Sequence, residues 1–413
     1  MLTVAEAERI ILEAVAPAAV VELPLEDAYG SVLREPINAD RPFPPYDRVA
    51  MDGVALALKT WERGVRAFPV AGIQRAGEPA CILRDPTHCL EVMTGAVMPV
   101  GCDCVVPVEQ ITRANDVATL AADVTPGPMQ HVHRLGSDRP AGAELLSIGT
   151  LLYGPQIAVC ATAGRARVRV ADSPGIAVIS TGDELVPVAA TPLPHQIRRS
   201  NGSAIRAGLA AAGFRKISGA HEPDDPAALE AILSQRLRDC SFMILTGGVS
   251  EGRFDHVPGV LRRLGVQEHL HKVAQKPGKP LWFGVGPQGQ AVFGLPGNPV
   301  SALVCFHRYV LPALWRHLGA GLLGSGERPR AVLTEAIKCR KPMTLFQPVR
   351  VCEDGSGLRR ATPVPMNGSG DLAGLAASDG VIELPDGGRT FAVGEAHPIW
   401  LWSDPFGMVK HSA

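Results

Sequence analysis

At 413 residues, 46% hydrophobic and 20% charged, the chain is longer than one compact core normally organises, and roughly two to four domains are expected. Forty basic side chains against forty-one acidic ones leave a net charge of −1, which excludes the broad electrostatic footprint of a nucleic-acid or anionic-membrane binder, so any anion site has to be local. Nine cysteines without a CxxC pair, a start at Met1–Glu6 with no basic-then-apolar leader pattern, and no apolar run of membrane-spanning length together suggest a soluble, cytoplasmic protein. In chain order, Thr3 and Glu6 fit a capping box, and Ala7, Ile10, Ile11, Ala14 and Val15 recur at helical spacing, predicting a first helix. "REPINADRPFPPYDRVAMDG" (34–53) has too many prolines for a helix interior and reads as extended backbone closing in a turn at Asp52-Gly53. Short β-like runs separated by Gly and Pro continue to about residue 140, and 146–164 then returns the chain with a short helix. From residue 174, apolar strands alternate with amphipathic helices, as in a three-layer α/β domain with a mostly parallel sheet. Past residue 327 the helices are expected to stop, and the remaining β runs suggest a small barrel or sandwich.

The expected fold class is therefore multidomain α/β plus β. Residues 1–45 with 141–172 would form a helix and elongated linker domain, 46–140 a β-rich second domain, 173–326 the α/β domain and 327–413 a C-terminal barrel-like domain.

In a parallel α/β sheet, ligands collect at the carboxyl ends of the strands. Here "STGDEL" (180–185), "TGGVSEGRFD" (246–255) and "GLPGNPVSA" (294–302) are all strand-to-helix loops of small residues whose backbone amides could face one anion. "QKPGKP" (275–280) adds Lys276 and Lys279 on a proline-stiffened loop, while Asp183, Glu184, Asp224, Asp225 and Asp255 are hard oxygen ligands suited to Mg²⁺. Each loop taken singly also reads as a turn or a helix cap. Their co-occurrence is what points to a phosphorylated or oxyanion substrate held in one electropositive pocket balanced by carboxylates.

Other patterns are weaker. "GVGPQG" (284–289) satisfies GxGxxG but lies between two apolar runs with no helix after it, so a hairpin loop is expected rather than a dinucleotide site. "HVH" (131–133) and "EHLH" (268–271) lack a second ligand pair at zinc spacing. No HExxH or GxxxxGK[ST] match occurs.

"PPYDRVAMDG" (44–53), "MTGAVMPVGCDCVVPVE" (93–109), "STGDEL", "RRSNG" (198–202), "TGGVSEGRFD", "KPGKP" (276–280) and "GLPGNPVSA" occur in one order along almost the whole chain. In this the sequence resembles the molybdopterin molybdenumtransferases, a family related to the E domain of gephyrin. The resemblance implies an L-shaped four-domain subunit and a homodimer. A cleft between one subunit's α/β domain and the other's β-rich domain would hold adenylylated molybdopterin. It also implies the reaction, Mg²⁺-assisted insertion of molybdate with release of AMP, and partners in a molybdopterin adenylyltransferase and in molybdoenzyme acceptors or their chaperones.

Carried onto this sequence, the resemblance implies catalytic roles for Asp52, Asp138, Asp224 or Asp225, and Asp255, with Glu184 and Asp255 toward the cation. Substrate contacts would come from Thr94, Thr181, Asp183, Ser250, Lys276, Lys279, Pro296, Asn298, Pro299, Ser301, Arg350 and Ser369. The sequence departs from the pattern at Arg48-Val49, where Asn-Ser is usual, at Val54, and at Pro348, where an arginine often follows the Phe-Gln pair; assigning Arg350 assumes a local shift. Two alternatives stand beside this reading: a non-catalytic cofactor-binding or scaffold protein, and a nucleotide enzyme on the same α/β domain like the molybdopterin adenylyltransferases, which lack the "DRVAMDG" domain ahead of it.

Overall fold

Thr3 opens the first helix, Val4–Ala14, through a complete capping box: its hydroxyl accepts from the Glu6 N–H at 3.2 Å, and the Glu6 carboxylate accepts from the Thr3 N–H at 2.8 Å. The computed structural model describes residues 1–249, 255–320, 328–385 and 387–403. It divides into two compact units, one comprising 35–147 with 154–167 and the other 1–34, 148–153 and 168 onward. No helix among the described residues is long and apolar enough to cross a membrane.

The smaller unit is built on a six-stranded sheet in the order Cys104–Pro107, Gly53–Leu56, Cys89–Val92, Ala67–Gln74, Val117–Leu120, Ile111–Ala114. Its second strand, Gly53–Leu56, is buried on both faces. Val54 and Leu56 join a cluster with Phe68, Cys104 and Val106, and Ala55 turns the other way to meet Val92, Met98 and Val105.

The larger unit carries a second six-stranded sheet, ordered Ile217–Glu222, Ile176–Thr181, Phe242–Thr246, Ala291–Leu295, Trp282–Val285, Gln267–His271. The first four strands run parallel, Trp282–Val285 runs against them, and Gln267–His271 pairs antiparallel with Trp282–Val285. Trp282–Val285 and Ala291–Leu295 pair as a hairpin, so "GVGPQG" is its loop and not a dinucleotide site. Period-two alternation makes the three layers: Phe242 and Ile244 pack with Ile205, Leu209 and Leu314, whereas Met243 and Leu245 pack with Leu229, Leu233 and Leu261.

In the same unit a β-barrel of five strands closes on itself in the order Thr344–Glu353, Arg359–Pro363, Arg330–Leu333, Ala396–Leu401, Gly380–Leu384 and back to Thr344–Glu353. The chain is thus mixed α/β with a closed barrel. One expectation fails here, because the helices do not stop at 327: Leu372–Ala376 is a short helix capped by Asp371, whose side chain accepts from the Gly374 N–H at 2.8 Å. Five residues are too few to show an amphipathic period in sequence.

Candidate active site

Strands Ile176–Thr181 and Phe242–Thr246 are neighbours, but the chain leaves them toward opposite sides of the sheet, first to Ile217–Glu222 and then to Ala291–Leu295. That is a topological switch point, and a crevice opens beyond the carboxyl ends of the two strands. Gly247 ends the second strand at φ +94°, and a Cβ there would come within 2.7 Å of the Thr181 carbonyl oxygen. Glycine is therefore what lets the two strand ends close on each other.

Two cavities adjoin at this edge. The larger, about 780 Å³, is lined by Thr181, Glu184, Arg198, Arg199, Asn201, Asp224, Asp255 and Pro299 among others. The smaller, about 500 Å³, is lined by Lys276, Lys279, Pro296, Ser301, Lys341, Gln347 and Ser369 among others. Gly297 and Asn298 line both. The expected single pocket of lysines and carboxylates is thus resolved into two, with the "GLPGNP" loop as the partition. That loop is held on both sides: Asn201 donates through Nδ2 to the Gly297 carbonyl at 2.7 Å, and Asn298 donates through Nδ2 to Ser369 Oγ at 3.0 Å.

The carboxylates crowd one another. The carboxyl of Asp224 is held above the usual carboxylate range, by burial first and then by the negative charges of Asp183, Glu184 and Asp255, with His256 opposing them. Asp183 accepts from the Asp224 N–H at 3.1 Å and so braces the turn without lining the cavity. Asp225 is the N-cap of helix Pro226–Asp239, its side chain accepting from the Ala228 N–H at 2.8 Å, so of the 224–225 pair only Asp224 lines the cavity. An aspartate raised in the fold subtracts stability above its unfolded pKa, and the deficit disappears below that value. Asp224→Asn is therefore expected to raise Tm by about 1–2 °C at pH 7 and to leave it unchanged near pH 3, as thermal melts at the two pH values would record.

The assignment of Arg350 rests on the expectation of a local shift in its strand, and the structure shows no such shift. Strand Thr344–Glu353 keeps unbroken register from Leu345 through Glu353 against its two partners, so no bulge re-aims that residue. Its Nε donates to the Ala377 carbonyl at 3.0 Å, and it does not line the smaller cavity. Lys341 and Gln347 line it instead. Ser250 lies outside the described residues.

In the smaller unit, Thr94 donates to Asp52 Oδ1 from both its backbone N–H and its hydroxyl, each at 2.7 Å. The hydroxyl bond and then the backbone bond hold the Asp52 carboxyl below its ordinary pKa. Asp138 sits on a separate turn, its N–H donating to the Phe43 carbonyl at 2.9 Å.

The chain matches three family models: "MoeA N-terminal region (domain I and II)" over residues 2–164, "Probable molybdopterin binding domain" over 177–316, and "MoeA C-terminal region (domain IV)" over 330–402. It is 39% identical over 379 residues to the molybdopterin molybdenumtransferase of Synechocystis, covering 92% of this chain and 94% of that one. The chain belongs to the molybdopterin molybdenumtransferase family. Molybdopterin molybdenumtransferase 2 of Mycobacterium tuberculosis is 30% identical over 413 residues, covering 97% of this chain and 99% of the relative. The crystal structure of the molybdopterin biosynthesis moeA protein from Pyrococcus horikoshii superposes with a TM-score of 0.80 at 26% identity, covering 97% of this chain and 100% of that chain.

Whether this molybdenumtransferase-family site fits Mg²⁺ turns on its donors. Among the described residues no group of three His, Cys, Asp or Glu side chains could hold a metal ion by itself. Mg²⁺ is usually bound by one or two carboxylates together with substrate phosphates, and a cavity bearing Glu184, Asp224 and Asp255 suits that arrangement. The Thr181 hydroxyl, buried and without a hydrogen-bond partner among the described residues, adds a polar atom at the same wall. Of the lining residues not assigned from sequence, Arg198, Arg199 and Asn201 were within a quoted motif, "RRSNG". Lys341 carried no signal, being one cation in "KCRKPM" outside every motif.

Proposed function

We propose that this protein inserts molybdate into adenylylated molybdopterin and releases AMP, as the names of its relatives suggest. What carries the reading is the shared Gly297–Asn298 partition, which sets a lysine-lined cavity of about 500 Å³ beside a carboxylate-lined cavity of about 780 Å³, room for an oxyanion next to a pyrophosphate-linked ligand. In this reading Lys276 and Lys279 clamp the molybdate dianion, with Ser301 and Ser369 as hydrogen-bonding partners and Pro296 keeping the wall rigid. Glu184, Asp255 and Asp224 would hold Mg²⁺, which when bound neutralises phosphate charge as AMP departs. Thr181, Asn298 and Pro299 line the path of the pyrophosphate, where fixed groups replace water that would otherwise have to reorganise.

Asp52, Thr94 and Asp138 would act from the second domain of a partner in a cytoplasmic homodimer, within the four-domain layout set out above. Product would pass to molybdoenzymes or their chaperones. Thr94→Val keeps the backbone bond to Asp52 and removes the hydroxyl bond, and is expected to lower molybdate-dependent AMP release roughly tenfold. An unchanged rate would detach that turn from the reaction.

The deciding experiment mixes purified protein, Mg²⁺ and adenylylated molybdopterin with and without molybdate, following AMP and pterin-bound molybdenum together. Molybdate-dependent AMP release supports the reading. Tight pterin binding without release favours the scaffold alternative.

A further inference from the structure

The helical run from Pro299 to Leu318 is interrupted by a π segment, Phe306–Val310, which lines neither cavity but bonds directly to Gln275, a residue of the smaller cavity's lining. Such segments change which side chains face inward, and here two successive long residues, Arg308 and Tyr309, are both buried. Arg308 reaches Glu8 and Glu383, while the Tyr309 hydroxyl donates to the side-chain oxygen of Gln275, the residue just ahead of the lysine loop.

Gln275 passes this support into the loop. Its Nε2 donates to the Pro277 carbonyl at 3.2 Å and to Cys305 Sγ at 3.5 Å, and the Cys305 thiol donates to the Gly278 carbonyl at 3.6 Å. Both carbonyls lie between Lys276 and Lys279. Gly278 has φ +92°, and a Cβ there would stand 2.6 Å from both Cys305 Sγ and Gln275 Nε2, so the backbone rests directly on this network. Gln275 and Tyr309 are each 1% exposed. A buried amide and hydroxyl add little net stability over apolar groups of the same shape, so packing alone gives no reason for them here. The lysines themselves are exposed and end flexible four-carbon stems, so their aim depends on the backbone that carries them.

We infer that Tyr309 and Gln275 are positioning residues for Lys276 and Lys279: they fix the 276–279 backbone so that both ammonium groups already face one cavity when the oxyanion enters. This rests on the functional reading above. Preorganised cations avoid reorganisation when the dianion binds, so loosening the loop should weaken capture of molybdate more than it slows the steps that follow.

The test measures AMP release against molybdate concentration, together with thermal melts, for wild type, Tyr309→Phe, Gln275→Met and Val310→Ala. The first two are expected to raise half-saturating molybdate on the order of tenfold and to leave the maximal rate within about twofold. Val310→Ala, which removes buried carbon from the same segment but no group bonded to the loop, should lower Tm and leave half-saturation where it is. If Tyr309→Phe and Gln275→Met lower Tm alone, the network is core packing and the inference is overturned. If wild type itself releases no AMP, the functional reading is what fails; equilibrium dialysis of molybdate against the four proteins then decides the positioning role, equal affinities overturning it.

Discussion

Lys279→Ala is expected to cut molybdate-dependent AMP release by roughly 10² or more, whereas Arg350→Ala should leave it within about twofold of wild type. The contrast follows from the geometry. Lys279 lines the smaller cavity on a loop anchored from below, and removing a preorganised cation from a site where a dianion must be desolvated forfeits its contribution in full. Arg350 has its guanidinium engaged by the Ala377 carbonyl outside that lining. Lys341→Ala should fall between the two, about tenfold, because Lys341 lines the same cavity as a single cation from the loop ahead of Thr344–Glu353, outside the Lys276–Lys279 pair. Release assays on the three variants at fixed Mg²⁺ give the ordering. Near-wild-type turnover in Lys279→Ala would remove the oxyanion assignment from the smaller cavity.

Arg308→Ala is expected to destabilise the larger unit by about 3–5 kcal/mol, read as a shift in urea midpoint. The Arg308 side chain is 5% exposed and donates to Glu8 and to Glu383, both at 2.9 Å. Arg328 also pairs with Glu8, and the guanidinium groups of Arg308 and Arg328 stack on Trp400 at 4.7 and 4.1 Å. One buried cation thus joins the first helix, the Pro299–Leu318 run and the barrel. Its loss takes the guanidinium from both carboxylates, leaving Glu8 with Arg328 and Glu383 with the Trp400 indole N–H. Adding Glu8→Gln and Glu383→Gln to Arg308→Ala should recover part of the deficit, since neutral amides are cheaper to bury than unpaired charges. Burial works against the Glu8 charge, but the guanidinium groups of Arg308 and Arg328 outweigh it and hold that carboxyl below its ordinary pKa. A depressed carboxylate stabilises the fold above its unfolded pKa and loses that contribution as pH falls through the folded value. Wild type should therefore lose more stability between pH 6 and pH 3 than the triple variant does, and equal losses would show that the cluster contributes nothing through its charge.

Much of this protein is written in short stretches of sequence. The Thr3–Glu6 capping box, the alternation of apolar strands and helices from 174 to 318, and the small-residue loops at the strand ends each depend on neighbours within a few residues, which is why spacing alone reveals them. The order of "DRVAMDG", "STGDEL", "KPGKP" and "GLPGNP" was likewise sufficient to indicate the family. Side-chain direction is a different matter, since it is set by register and by segments far apart in the chain. Asp224 and Asp225 are adjacent acids, yet the start of helix Pro226–Asp239 makes one a cap and leaves the other in the cavity wall. Arg350 stays out because an unbroken ladder fixes its face, and Lys341 comes in because the barrel brings its loop beside "KPGKP". The partition at Gly297–Asn298 and the buried support of Gln275 by Tyr309 join residues between 34 and 96 positions apart. Such contacts exist only once the sheet and barrel have packed, so only the tertiary structure could decide them.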